Sequence, residues 1–232
     1  MMHACIVELG EMPYNEALVW QKQAHHCIAT QGADPVLFCA EHPEVLTLGK
    51  HASQEDLLVP ASSLQVAGIQ LERVERGGKI TAHMPGQLVV YPILPLTRLG
   101  LSVRQYICCL EGAMIQTLAA FSLQANRHPD YPGVWWEGKK IGAVGVRIQN
   151  RISLHGISLN VNNSLDLFHK IIPCGIKGSA VSSMAAALSA GIHVQEVKTL
   201  LIRELAARLQ LHPYTYMDQK VWRERVYSGS EA

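Results

Sequence analysis

The spacing of apolar residues along the chain predicts three long helices. Residues 14–31, 102–121 and 194–209 repeat apolar side chains at intervals of three and four, which is typical of amphipathic helices. Pro13 suits the first turn of the first helix, and Ser102 is a suitable N-cap for the second.

Shorter apolar runs between turn residues predict the strands. These are residues 5–9, 35–40, 45–48, 69–75, 88–93, 134–136, 140–148 and 152–159. His42-Pro43 predicts a bend, Glu137-Gly138-Lys139 a hairpin turn, and Pro92 with Pro95 the end of a strand. Because the helices are interspersed rather than strictly alternating, we expect an α+β fold with a mixed, mainly antiparallel sheet core covered by helices.

The composition restricts the class of protein. A chain of 232 residues, 48% hydrophobic and 17% charged, can bury a full core, and we expect a single domain over 1–232 or a small lobe after Gly191. A net charge of +1 with scattered basic residues argues against nucleic-acid binding. The sequence has no apolar run of membrane-spanning length and no signal-peptide pattern, so we expect a cytoplasmic protein without membrane partners.

One of the six cysteines stands out by its neighbours. The cysteine spacings fit neither a zinc site nor a disulfide scaffold, so no metal is predicted and five thiols are expected in the core. Cys174 follows Pro173, which restricts the backbone, and precedes Gly175, which admits a second group. A buried structural role is the ordinary alternative for a cysteine.

A glycine-rich loop carries the densest set of polar side chains. Gly77 and Gly78 let the backbone approach a ligand and expose amide donors. The polar side chains around them are Arg76, Thr81, His83 and Gln87. On composition alone an ordinary turn is equally compatible with this segment.

A lysine and several small residues follow the predicted hairpin. Strand alternation sends Lys139 and Lys140 to opposite faces, so at most one of them reaches an internal site. Small residues over 142–145 leave room for a narrow apolar slot, and residues 155–160 could form its facing wall. A solvated surface lysine is the alternative.

These segments together resemble the lipoyl(octanoyl) transferases, within the biotin/lipoate protein ligase-like superfamily. Four motifs occur in the family's order: Glu41-His42-Pro43 with Thr47-Leu48-Gly49, Arg76-Gly77-Gly78, Pro85-Gly86-Gln87 and Pro173-Cys174-Gly175. The resemblance implies a biotin/lipoate protein ligase-like fold. It also implies an enzyme that catalyses the first step of endogenous protein lipoylation and needs no cofactor. The implied partners are acyl carrier protein as octanoyl donor, and lipoyl domains of 2-oxoacid dehydrogenase E2 subunits and the glycine cleavage H protein as acceptors.

The resemblance also implies roles for individual residues. Cys174 would carry the acyl group as a thioester, and Lys140 rather than Lys139 would be its partner. His83 would line or orient the site rather than act as the principal base. The acyl site would be lined by Arg76, Gly77, Gly78, Lys79, Ile80, Thr81, Ala82, His83, Ala143, Val144, Gly145, Gly156, Ile157 and Ser158.

The chain departs from the family pattern at two positions, and two other functions stay open. Ala82 stands where the family has tyrosine and Met84 where it has glycine, so we expect a changed pocket shape and acyl-length preference. An ATP-dependent lipoate or biotin ligase needs no nucleophilic thiol, so Cys174 favours the transferase. A non-catalytic lipoyl-domain binding module would not need both Cys174 and Lys140.

Overall fold

The computed structural model describes residues 2–175 and 180–228, without the side chains of Cys174 and 226–228. Within these ranges the strands, in chain order, are β1 (Met2–Glu11), β2 (Val36–Glu41), β3 (Val45–Leu48), β4 (Gln70–Arg73), β5 (Ile80–His83), β6 (Gln87–Ile93), β7 (Asn126–Arg127), β8 (Val134–Trp136), β9 (Lys139–Gln149), β10 (Ile152–Asn160) and β11 (Leu211–Met217).

The helices confirm the three long predicted ones and add shorter ones. They are α1 (Tyr14–Gln31), α2 (Ala61–Val66), α3 (Val103–Ala120), α4 (Met184–Leu188), α5 (Val194–Arg208) and α6 (Gln219–Ser228). Ser102 caps α3 by accepting a hydrogen bond from the Gln105 amide, whereas Pro13 is the N-cap residue of α1 rather than part of its first turn. No helix in the described ranges is both long enough and apolar enough to cross a bilayer.

Two sheets form the framework. The larger has the spatial order β11-β1-β2-β6-β10-β9-β8-β7, and the smaller has the order β4-β3-β5. In the larger sheet β1 pairs in parallel with β11 and β2, and every other neighbouring pair is antiparallel. The predicted mixed, mainly antiparallel sheet is therefore confirmed.

Several local predictions differ from the structure. The segment 80–83 is strand β5 rather than part of a loop, and Pro92 lies inside β6 opposite Leu37 instead of ending the strand. Residues after Gly191 join the main fold, because α5 packs on α3 and β11 pairs with β1. A small C-terminal lobe is thus a wrong prediction. Pro213 is tolerated in β11 because this strand lies at the sheet edge.

The larger sheet has two different faces. One face is covered by α3 and α5 and buries a largely apolar cluster that includes Leu110, Leu159 and Leu201. The other face packs against α1 and against Trp222 of α6. A third apolar cluster fills the outer side of the smaller sheet, around Leu46 and Phe168. The space between the second face and the smaller sheet holds the candidate site.

Candidate active site

A cavity of about 330 Å³ lies between the larger sheet and β5. Its floor includes paired positions of β9 and β10, where Ala143 lies opposite Ser158 and Gly145 opposite Gly156. The lining includes every predicted acyl-site residue except Ala82: Arg76, Gly77, Gly78, Lys79, Ile80, Thr81, His83, Ala143, Val144, Gly145, Gly156, Ile157 and Ser158. Its volume is within the range of small-ligand sites.

Ala82 does not line this cavity. Along β5, Thr81 and His83 face the cavity, whereas Ala82 is fully buried on the opposite side in the cluster that contains Leu46 and Phe168. Met84 belongs to the same cluster, so neither departure from the family pattern forms part of the cavity wall. The expectation that these two positions change the shape of the pocket is wrong for the cavity wall, because strand alternation turns the Ala82 side chain away.

A β-bulge directs Lys140 toward the cavity. Val134 pairs with Gly142 and Trp135 with Lys140, so Ile141 is the extra residue of β9. Ile141 enters the apolar core under α3, whereas Lys140 lines the cavity and is 6% exposed. Its Nζ donates to the Pro132 carbonyl at 3.0 Å and lies 5.5 Å from the centre of the Trp135 ring. Lys139 is exposed, so only one of the two adjacent lysines reaches the cavity.

The segments that precede and follow Cys174 in the chain both lie next to Lys140. Before it, Pro173 lines a small cleft of about 20 Å³ together with Lys140 and Thr81. After it, the Lys140 amide donates to the Ala180 carbonyl, and the Lys140 carbonyl accepts from the Ser182 amide, both at 2.9 Å. The backbone of Cys174 lies in the short 3-10 turn Pro173–Gly175, and its thiol lies outside the described atoms.

The small residues of the floor are required by close packing. A Cβ added to Gly156 would collide with the backbone carbonyl of Val90 and lie 2.8 Å from the Pro92 ring. At Gly145 an added Cβ would lie 3.0 Å from the Arg76 Cδ. Glycine at these positions lets neighbouring strands and the arginine stem approach the floor, which leaves a slot rather than a filled core.

Arg76 holds the glycine loop in place. Its Nη2 donates to the backbone oxygen of Thr47 at 2.6 Å and to the hydroxyl at 2.8 Å, and its Nη1 donates to the Gly77 carbonyl at 3.0 Å. The Gly77 amide in turn donates to the Val146 carbonyl of β9 at 2.9 Å. These bonds fasten the loop to both sheets, so Arg76 has a structural part in shaping the cavity.

A network of aromatic and polar side chains occupies one wall of the cavity and the region behind it. The Tyr14 hydroxyl lies 3.1 Å from His155 Nδ1, the Tyr91 hydroxyl lies 2.7 Å from His42 Nε2, and the Tyr14 ring stacks on His83. Strand alternation would place His155 with Ile157 on the α3 face, but its φ of +57° turns it toward Tyr14. A left-handed histidine in a strand is uncommon and marks a constrained position.

Burial keeps the three histidines of this network neutral. Desolvation lowers the pKa of His83 to about 3, with the His42 charge next in effect, and it lowers the pKa of His155 to about 3 and of His42 to about 4. His83 Nδ1 also lies 2.7 Å from Gln87 Oε1, which fixes the ring. Motif matching found His83. The expectation that residues 155–160 face 142–145 is wrong, because β10 pairs with β9 and the two segments lie side by side in the floor. Nothing local in the sequence brings Tyr14 to this site.

The other thiols differ from the expectation at one position. Cys5, Cys27 and Cys39 are buried, and desolvation raises the pKa of each, to about 12 for Cys39. Cys108 is exposed, because it lies on the solvent side of α3, so its prediction as a core residue is wrong. Cys109 is half-buried and packs against the core under α3, and none of these five thiols lines the cavity.

A cluster of potential metal ligands lies away from the cavity. Within the described ranges, His3, Cys5 and Asp34 bring one ligand atom each to within 4.8 Å of the others. These atoms already have protein partners: His3 Nδ1 lies 3.0 Å from Asp34 Oδ2, and Arg225 donates to the same carboxylate at 3.2 Å. The cluster shares no residue with the cavity lining.

Comparison with known proteins places the chain in a family. Residues 13–206 match the model of the lipoyl protein ligase A/B catalytic domain. The chain is 39% identical to an octanoyltransferase of Bacteroides fragilis, an alignment that covers 85% of this chain and 94% of that one. It is 38% identical to an octanoyltransferase of Pseudomonas putida, with 90% and 94% covered.

Solved structures agree on the fold. Lipoate-protein ligase A bound with ATP superimposes with a TM-score of 0.72 at 17% identity, over 99% of this chain and 95% of that one. A chain from the lipoylation system of Thermoplasma acidophilum, a bipartite lipoate protein ligase and its E2 lipoyl domain, gives 0.71 at 17% identity, over 100% and 93%. With its biotin/lipoate ligase-like fold and its close sequence relatives, the chain belongs to the octanoyltransferase family of the lipoyl protein ligase A/B catalytic domain proteins.

Proposed function

We propose that this protein is a cytoplasmic octanoyltransferase that moves an octanoyl group from acyl carrier protein to the lipoyl-domain lysine of lipoate-dependent enzymes. The acceptors would be 2-oxoacid dehydrogenase E2 subunits and the glycine cleavage H protein, in the first step of endogenous protein lipoylation. Identity of 38–39% to octanoyltransferases over most of both chains carries this proposal. Its second support is that Pro173 and Lys140 line one cleft at the edge of the cavity.

The first half-reaction forms an acyl thioester on Cys174. An ammonium close to a thiol lowers the pKa of the thiol and raises the fraction of nucleophilic thiolate, and Lys140 would supply that charge. The thiolate attacks the donor thioester carbonyl, a new carbon–sulfur bond forms, and the bond to the carrier thiol breaks. The leaving thiolate takes a proton from Lys140, which becomes a neutral amine.

The second half-reaction forms the amide. Neutral Lys140 accepts one proton from the ammonium of the incoming substrate lysine, whose nitrogen then attacks the acyl group on Cys174. The carbon–sulfur bond breaks, the second nitrogen proton goes to solvent, and the thiolate and ammonium pair is restored. Because a thioester supplies the acyl group already activated, no nucleotide is consumed.

The cavity suits the acyl chain. Between Ala143 and Val146 the floor strand advances by roughly 10 Å, at about 3.3 Å per residue, which is comparable to an extended chain of eight carbons. The small residues Ala143, Gly145 and Gly156 on β9 and β10 leave space above the floor for the chain. Neutral histidines at the wall avoid the cost of burying a charge against an apolar ligand.

Mass spectrometry without nucleotide tests the proposal. Protein incubated with octanoyl-acyl carrier protein and no ATP should gain one octanoyl group on the peptide that contains Cys174. Cys174→Ala should lose the adduct and lower transfer by at least about 1,000-fold, because the nucleophile is removed. Cys108→Ala, which removes an exposed thiol, is the matched control and should transfer normally. Strict dependence on ATP with no adduct would instead indicate a lipoate or biotin ligase.

A further inference from the structure

Lys79 and Asp56 form an ion pair beside the turn that carries Cys174. Lys79 Nζ lies 3.4 Å from Asp56 Oδ1, and the Asp56 side chain is 4% exposed, against 41% for Lys79. The other carboxylate oxygen of Asp56 accepts from the Ser53 amide at 2.9 Å. The Asp56 carboxylate is therefore held in place by the Ser53 amide. The carboxylates of most surface ion pairs are not held in this way, and such pairs contribute little to stability.

The backbone of Asp56 is joined to the segment that leads into the turn. The Ile172 amide donates to the Asp56 carbonyl at 2.8 Å, and the Leu58 amide donates to the Lys170 carbonyl at 2.8 Å. Two hydrogen bonds of this kind hold the strand-like segments 56–58 and 170–172 side by side. Any displacement of Asp56 is thereby transmitted to the residue that precedes Pro173.

The Lys79 side chain covers Gly175 on the other side of the turn. Gly175 has a φ of +71°, and its amide donates to the Ile172 carbonyl at 3.0 Å. A Cβ added to Gly175 would lie 2.5 Å from Lys79 Nζ and 2.7 Å from its Cε. Glycine is required here both by the left-handed backbone and by the lysine stem above it. The Lys79 ammonium thus lies at the residue that follows Cys174.

We propose that Lys79, anchored by Asp56, is a positioning residue of the transfer reaction. It holds the Pro173–Gly175 turn against β5 and places a positive charge beside the residue that carries the acyl group, in addition to that of Lys140. The inference deepens the proposed function and rests on it for the identity of the acyl carrier. Its physical content, a charge that favours a thiolate at Cys174, can be measured without any acyl substrate.

The pH dependence of thiol alkylation tests this role. Iodoacetamide labelling of Cys174 is followed by peptide mass spectrometry from pH 5 to 10, with exposed Cys108 in the same sample as the internal reference. Lys79→Met should move the midpoint of the Cys174 profile upward by about 0.5–1 pH unit and slow labelling at pH 7 by roughly 3–10-fold. Lys79→Arg should restore most of the rate, and Cys108 should not change.

Asp56→Asn and a remote lysine provide the matched controls. In the Asp56→Asn background, Lys79→Met should shift the midpoint by less than it does in wild type, because Lys79 is then no longer anchored beside the turn. Lys220→Met removes a charge from the exposed surface of α6 and should leave the profile unchanged. Thermal unfolding of each variant verifies that it is folded.

The outcomes separate this inference from the proposed function. A Cys174 midpoint that is the same in wild type and Lys79→Met, with only a lower melting temperature, would overturn the positioning role. If Lys79→Met shifts the Cys174 midpoint but the wild-type protein forms no octanoyl adduct, the positioning role of Lys79 stands and the proposed octanoyl transfer is contradicted. A shift of equal size in Lys220→Met would mean a general charge effect and would also overturn the inference.

Discussion

The two faces of the larger sheet use the same strands for different purposes. The face under α3 and α5 is filled mainly by aliphatic side chains, whose burial stabilises the fold. Its directional contacts are few, such as the hydrogen bond from the Tyr106 hydroxyl to the Pro92 carbonyl. The opposite face combines glycines, neutral histidines and the buried Arg76 with an open cavity. The comparison indicates that the apolar face supports a cavity face that is rich in groups that are costly to bury.

Adjacent residues of β9 separate the two faces most sharply. The bulge sends Ile141 into the apolar core and Lys140 into the cavity, although regular alternation alone would not choose between Lys139 and Lys140 for the site. A substitution on the apolar face should therefore change stability with little effect on transfer, whereas one on the cavity face should also change the chemistry.

Among the substitutions that compare the two faces, the largest effect is expected at Lys140. Lys140→Met keeps most of the side-chain volume but removes the charge and the proton acceptor, so we expect octanoyl transfer to fall by about 100- to 1,000-fold. Steady-state transfer assays and urea unfolding should show lost activity at nearly unchanged stability.

Two neighbouring variants are the controls for Lys140. Lys139→Met should transfer normally, since Lys139 is exposed. Ile141→Val should cost about 1 kcal/mol of unfolding free energy with little loss of transfer, because it only removes a buried methyl group. If Lys139→Met were as inactive as Lys140→Met, the division between the faces would be wrong.

The next largest effect should come from filling the floor of the cavity. In Gly156→Ala the added methyl group meets the Val90 carbonyl, which belongs to a neighbouring strand and cannot rotate away. We expect a loss of about 1–3 kcal/mol in urea unfolding, together with slower transfer. Gly191→Ala, where an added Cβ meets nothing within 4 Å, is the matched control and should change stability by less than about 0.5 kcal/mol. Equal stability of the two variants would contradict the tight floor.

The smallest effect per residue is a dependence of stability on pH. The folded-state pKa values of His42, His83 and His155, at about 4, 3 and 3, lie below the ordinary value of 6.5, so below that pH the unfolded chain binds more protons. The stability they contribute is complete above pH 6.5. It is lost as the pH falls from there toward 4 for His42 and toward 3 for His83 and His155. Each should lower the unfolding free energy by up to about 1.4 kcal/mol per pH unit.

Histidine substitutions sharpen the measurement. Urea unfolding at pH 7.5, 6.5 and 5.5 should show a smaller pH slope in His155→Gln than in wild type. His169→Gln, at a side chain that is 80% exposed, should keep the wild-type slope. A wild-type stability that is flat between pH 7.5 and 5.5 would contradict the neutral, buried network on the cavity face.

The elements with strong local signals could be predicted from the sequence. Helices α1, α3 and α5 follow from apolar spacing, and the β8–β9–β10 meander follows from its glycine turn and apolar runs. Motif matching placed nearly all of the predicted acyl-site residues around one cavity, because the glycine loop and β5 lie over the paired middle sections of β9 and β10. The order of the same motifs along the chain also indicates the family.

Only the tertiary structure decided the remaining features. β11 has a weak local pattern and is a strand because it pairs with β1, more than 200 residues earlier in the chain. The direction of Ala82, the turn of His155 toward Tyr14 and the contact of Lys79 with Gly175 likewise depend on distant neighbours. Local sequence fixes backbone preference and the order of motifs, whereas the side on which a residue lies and the groups it contacts depend on long-range packing, which a local pattern does not encode.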